Sequence, residues 1–225
     1  MINVEEKQTE FLNELEMLIL LDNSGRFRKR CFEYLSFFSS YLTGNIQQSE
    51  KFASEVIKFV SIASISGKQY RLRQFFEENE KLVNSIAGFA EINSFKDNKM
   101  KVLFNIVYAI ILFIKGDYYD AFLQIELLKT LQKKYEAKYL ESIIEEERRF
   151  ESVELLSLYY FARAVQLLNY LAMYFDEESI GIKRLIKHCI NTSQELLEIS
   201  GNTTIGIALV FFDKFVSSII EKEDT

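Results

Sequence analysis

"NIVYAIILFIKGDYYDAFLQIELL", Asn105 to Leu128, is the stretch whose reading decides the fold. It lies within a longer pattern in which "VLFNIVYAIILFI", Val102 to Ile114, is bounded by Lys101 and Lys115. Those 13 residues fall short of the roughly 20 needed to span a bilayer, so the run reads as a helix inside the protein. It predicts a helix over about Lys99 to Lys115 that is apolar nearly all round, and such a helix should be central, with neighbours on several sides. Gly116 then stands where a left-handed helix terminator is common, and a second helix is expected to begin near Tyr118.

Worked outward, the same punctuation recurs. Glycines at 25, 44, 67, 88 and 116 divide the first half into segments with helical rather than alternating periodicity. Phe11, Leu15, Leu18 and Ile19 make one stripe, and Phe27, Cys31, Tyr34, Leu35, Phe38 and Leu42 a second. Phe52, Val56, Phe59, Val60 and Ala63 make a third, and Leu72, Phe75, Phe76, Leu82, Val83 and Ile86 a fourth. Beyond the central helix the sequence predicts a helix from near Tyr118. It is charged through Lys129 to Arg149, and either runs on to Phe150 or breaks near Lys133 to Glu136. Further helices are expected over about Glu151 to Phe175, Ser179 to Ile199 and Thr203 to Glu221, the last two turning at "SGNTT". The expected fold is all-α, about nine antiparallel helices as stacked helical hairpins or an irregular helical bundle. One domain over 1–225 is expected, with a candidate sub-boundary near 90–98 at the polar "AEINSFKDN".

Composition agrees with that class. The 225 residues are 48% apolar and 27% charged, and contain no proline, which favours helices joined by short turns. A net charge of -6 argues against a general nucleic-acid binder but leaves room for a local basic patch. Cys31 and Cys189 are far apart in sequence, so a disulfide scaffold is not expected and a reducing cytoplasm is. The opening "MINVEEKQTE" is acidic and lacks the apolar core of a signal peptide. Absent tryptophan with abundant isoleucine, lysine, asparagine and phenylalanine is the usage expected of an AT-rich bacterial genome.

Three turns look alike: "SGRFRKRCFEYL", "SGKQYRLRQFFE" and "KGDYYDAFLQIE". Each has a glycine, an aromatic residue two or three positions later, and then an apolar stripe. Spacings of 42 and 49 are irregular for a repeat, and generic glycine turns give the same look without common ancestry. The third turn resembles one tetratricopeptide unit, over about residues 101–134. In that resemblance Gly116 is the turn and Tyr118 the wedge between helices. Ala109 and Ala121 are the small contacts, and Ile125 is a further apolar one. The pattern is departed from at Asn105, where a large aromatic is usual, and at Lys133, where a proline often ends the unit. The resemblance implies a scaffold that binds a peptide or protein in a groove.

The sequence carries no familiar catalytic constellation. It has no P-loop, GxGxxG or GxSxG, and its single histidine, His188, rules out a three-histidine zinc site. His188 and Cys189 are adjacent on an expected helix and so face apart, which suits a surface histidine rather than a dyad. Asp117 and Asp120 sit where acids complement a helix dipole. No enzyme activity, cofactor or metal is expected.

One feature breaks a local rule. Arg26, Arg28, Lys29 and Arg30 follow Gly25, and Lys68, Arg71 and Arg73 follow Gly67. Positive charge in a first helical turn opposes the macrodipole. In parallel-stacked hairpins the seven side chains would line one edge as an anion-attracting strip for phosphates or an acidic partner. The competing reading is an ordinary surface on which they pair with Glu14, Glu33, Glu77 and Glu78. The runs "YLSFFSSYL" and "IALVFFDKFV" carry more bulk than one helix face requires, and fit either an interface or burial on both sides. The expected function is that of a non-enzymatic adaptor or accessory subunit with a protein partner or a homo-oligomer. The alternative is a nucleic-acid-associated factor using the basic strip.

Overall fold

The computed structural model describes residues 46–65, 67, 69–78, 80–91, 98–128, 149–174 and 179–221. Among them are eight helices and no strand, as an all-α chain requires: α1 (Ile46–Ile65), α2 (Gln69–Glu78), α3 (Glu80–Ala90), α4 (Asn98–Lys115), α5 (Tyr118–Glu126), α6 (Arg149–Met173), α7 (Ser179–Ser200) and α8 (Thr203–Glu221). The two stripes between Phe11 and Leu42 lie outside the described residues.

Helix α4 is the hub. It touches α1, α2, α3, α5 and α6, and every residue from Val102 to Ile114 is buried except the half-buried Tyr108. That is the consequence of a helix without a polar face: each side needs an apolar neighbour. Its one buried amide, Asn105, is fully engaged. Its Nδ2 donates to the carbonyls of Ala90 at 2.9 Å and Lys101 at 2.7 Å, and its Oδ1 accepts from Gln124 Nε2 at 2.6 Å. The residue that departs from the tetratricopeptide pattern thus ties the end of α3, α4 and α5 together, at no cost in unmet hydrogen bonds.

Successive helices from α4 onward pack antiparallel. Phe122 meets Tyr170 while Glu126 meets Gln166 across α5 and α6. Between α6 and α7, Ser157 and Ser193 are fully buried, and each hydroxyl donates to the other's backbone carbonyl at 2.9 Å. Only side chains this small let two helix backbones approach so closely with both hydroxyls satisfied. Helix α8 then returns onto α1, and the two run in the same direction, since Glu50 meets Asn202 and Lys58 sits over Phe211. In an open stack of hairpins each unit touches its sequence neighbours alone. Here the last described helix closes on the first, giving an irregular bundle around one core that runs from Phe52 to Ile220. Residues 92–97 lie outside the described set, and α3 and α4 on either side of them share that core.

Three expectations change. The fourth stripe is two helices, α2 and α3, and the exposed Glu77, Glu78 and Glu80 where one gives way to the other offer no apolar contact to the core. Gly88 does not stop a helix: α3 runs through it to Ala90, and the left-handed glycines among the described residues are Gly67, Gly116 and Gly201, at φ 72°, 90° and 73°. The helix from Tyr118 is not continuous to Phe150. It ends at Glu126 in a turn at Leu127 and Leu128, ahead of the expected break, and residues 129–148 lie outside the described set.

Candidate binding surfaces

Of the seven basic residues proposed as a strip, Arg26, Arg28, Lys29, Arg30 and Lys68 lie outside the described residues. Arg71 and Arg73 fall in the first turns of α2, Arg71 half-buried and Arg73 exposed. Arg73 Nε donates to Glu77 Oε1 at 3.0 Å, a pairing that the ordinary-surface reading anticipated. That hydrogen bond holds the guanidinium above its usual range, against a smaller opposing effect of desolvation. The same guanidinium lies over the α4–α5 corner: a Cβ added to Gly116 would come 3.5 Å from Arg73 Nη1.

At that corner the residues singled out by the tetratricopeptide resemblance are packing residues. Ala109 and Ala121 are fully buried, Ile125 is buried, and the Tyr118 ring lies 5.3 Å from that of Phe113. Asp117 pairs with Lys115 at 3.2 Å, whereas Asp120 has no ion pair or hydrogen bond among the described residues. Gly116, Asp117, Tyr118, Tyr119, Asp120 and, from the far end of α6, Met173 line a shallow hollow of about 380 Å³ that is open to solvent.

His188 and Cys189 face apart on α7, the histidine exposed and the thiol buried. Desolvation raises the Cys189 thiol above its ordinary pKa, outweighing the opposite effect of Arg163, so the reactive thiolate is disfavoured. No group of three or more His, Cys, Asp or Glu placed to hold a metal occurs among the described residues.

Sequence reading missed a polar cluster that joins four elements. Lys99, at the start of α4, bonds Glu154 of α6 at 2.8 Å and also Glu50 of α1. Asn202, in the α7–α8 turn, donates to Glu50 Oε1 at 2.7 Å and to Glu154, while its Oδ1 accepts from the backbone N–H of Ile205 and so caps α8. Burial alone would pull the Lys99 ammonium down, but its hydrogen bonds and charge contacts with Glu154 and Glu50 prevail and raise it above 10.5. A lysine nucleophile needs the opposite shift, and the contacts of this cluster clamp α1, α4, α6 and the α7–α8 turn together. Its members are scattered from residue 50 to residue 202, and no local spacing connects them. The one local signal was Asn202 itself, standing after a glycine at the head of an apolar helix.

The α7–α8 turn also opens a groove of about 540 Å³, lined by Leu197, Glu198, Asn202, Gly206, Ile207 and Val210 among others. Ile207 is 55% and Val210 44% exposed. Helix α8 is, among the described residues, the one helix long and apolar enough by length and composition to cross a membrane. Its inner face, with Ile205, Leu209, Phe212, Phe215 and Val216, is in the core, yet only 39% of Thr203–Ile220 is buried. Of the two hydrophobic runs noted in the sequence, "YLSFFSSYL" lies outside the described residues, and "IALVFFDKFV" divides between these two faces of α8.

Compared with protein-family models, curated proteins and solved structures, the chain matches none.

Proposed function

We propose that this protein is a non-enzymatic helical adaptor or accessory subunit of the cytoplasm, acting by binding another protein or a second copy of itself. One observation carries the reading: the outward face of α8 holds two apolar side chains, Ile207 and Val210, open to solvent beside a groove. An isolated exposed leucine needs no explanation, but apolar side chains grouped along a groove are what interfaces are made of. The inner face of α8 already supplies the core, so Ile207 and Val210 have no structural task that demands exposure. The Cys189 thiol is buried with its thiolate disfavoured and Lys99 is held in its charged form by Glu50 and Glu154, so neither is poised as a nucleophile. A photo-crosslinking residue at position 207, activated in the native cell, tests the reading. A discrete protein adduct, or a crosslinked pair of this chain, is the expected result. Crosslinks only to lipid or nucleic acid, or none, would refute it.

A further inference from the structure

A second surface lies at the Gly116 corner, apart from the α7–α8 groove, and its chemistry specifies an occupant. The hollow there is walled by two tyrosines, a methionine and two aspartates. Lys115 engages Asp117, and Arg73 is paired with Glu77 above Gly116. Asp120 is left exposed and without a pairing cation among the described residues. Beside it Tyr119 is 61% exposed, and its ring packs on no other ring among the described residues. Aromatic cover continues along α6, where Tyr170 and Tyr174, 4.9 Å apart, flank Met173 in the same helical turn, and Phe122 lies 6.2 Å from Tyr170.

We infer that this hollow receives a cationic side chain, arginine or lysine, presented by a peptide segment of a partner protein. The faces of aromatic rings carry negative potential and attract a cation, a soft thioether wall accommodates its alkyl stem, and the exposed Asp120 carboxylate meets its charge. Exposed tyrosines are also the side chains that anchor interfaces at low entropic cost. The inference is independent of the α8 face, since the hollow is built from α5 and the C-terminal end of α6.

Fluorescence anisotropy with a labelled hexa-arginine peptide tests it, with hexa-glutamate as the opposite-charge probe. Saturable binding of hexa-arginine is expected, weakened about two- to fivefold by Tyr119→Ala and by a similar factor by Asp120→Asn. Tyr119→Phe should keep the affinity, because the ring remains. Glu195→Gln, which removes the same charge from an exposed α7 position outside the groove, should leave it unchanged. Circular dichroism establishes that each variant is folded, which exposed positions permit. Equal weakening by Asp120→Asn and Glu195→Gln would reduce the effect to the protein's net negative charge and overturn the inference. So would weakening by only one of Tyr119→Ala and Asp120→Asn, binding of hexa-glutamate, or no saturable binding of hexa-arginine.

Discussion

At Gly116 and again at Gly201 the chain turns between antiparallel helices on a left-handed glycine, φ 90° and 73°. The two corners present opposite surfaces. The first carries tyrosines and carboxylates around a small hollow, and the second an apolar groove beside a helix that buries only one face. What differs is the helix that follows. Helix α5 is short and exposes Tyr119 and Asp120 in its first turn, whereas α8 is long, and apolar residues occupy both its core face and much of its solvent face. A shared backbone device thus says nothing about which partner chemistry a corner offers; the side chains of the next turn decide that.

Phe113 joins the two regions. Its ring lies 5.3 Å from Tyr118 at the first corner and 5.9 Å, edge to face, from Phe215 on α8. Phe113→Ala should therefore cost about 3–5 kcal/mol in urea unfolding, the largest effect expected here. A loss below about 1 kcal/mol would mean that the corners do not share a core. Lys99→Met should come next, costing about 1–3 kcal/mol, because Glu50 and Glu154 are left facing each other in a half-buried site. The sign with pH follows from the raised Lys99 pKa. Its contribution is fully present below 10.5 and lost as pH rises through the higher folded value. The gap between wild type and Lys99→Met should accordingly narrow in alkali and persist at neutral pH.

The glycines sharpen the contrast at smaller scale. Gly116→Ala should destabilise by about 1–2 kcal/mol, since an L side chain is strained at that φ. Gly206→Ala, inside α8 with nothing within 4 Å of the added Cβ, should stabilise by about 0.5–1 kcal/mol while narrowing the groove. Thermal melts of the two variants moving in the same direction would contradict the assignment of their backbones.

Much of the fold was legible because its signals were local. A long apolar run broken only by Asn105 marked α4 as the hub, and the turn at "SGNTT" placed the boundary between α7 and α8 within a residue. The α2–α3 break was not legible, because Leu82, Val83 and Ile86 continue the stripe in phase and only the polar run between hints at a bend. Nor was the site legible. Asp117 and Asp120 were explained by the helix dipole, and it took Met173, more than fifty residues later, to complete the hollow they line. The clamp of Glu50, Lys99, Glu154 and Asn202 is tertiary in the same sense.

The central claim is that the open face of α8 is kept for a partner and not for the fold. Ile207→Asp combined with Val210→Asp tests it when stability and partner capture in the native cell are measured on the same protein. Unfolding free energy should change by no more than about 0.5 kcal/mol per site while the captured partner or second copy is lost. Unchanged capture, or destabilisation of several kcal/mol, would contradict the account.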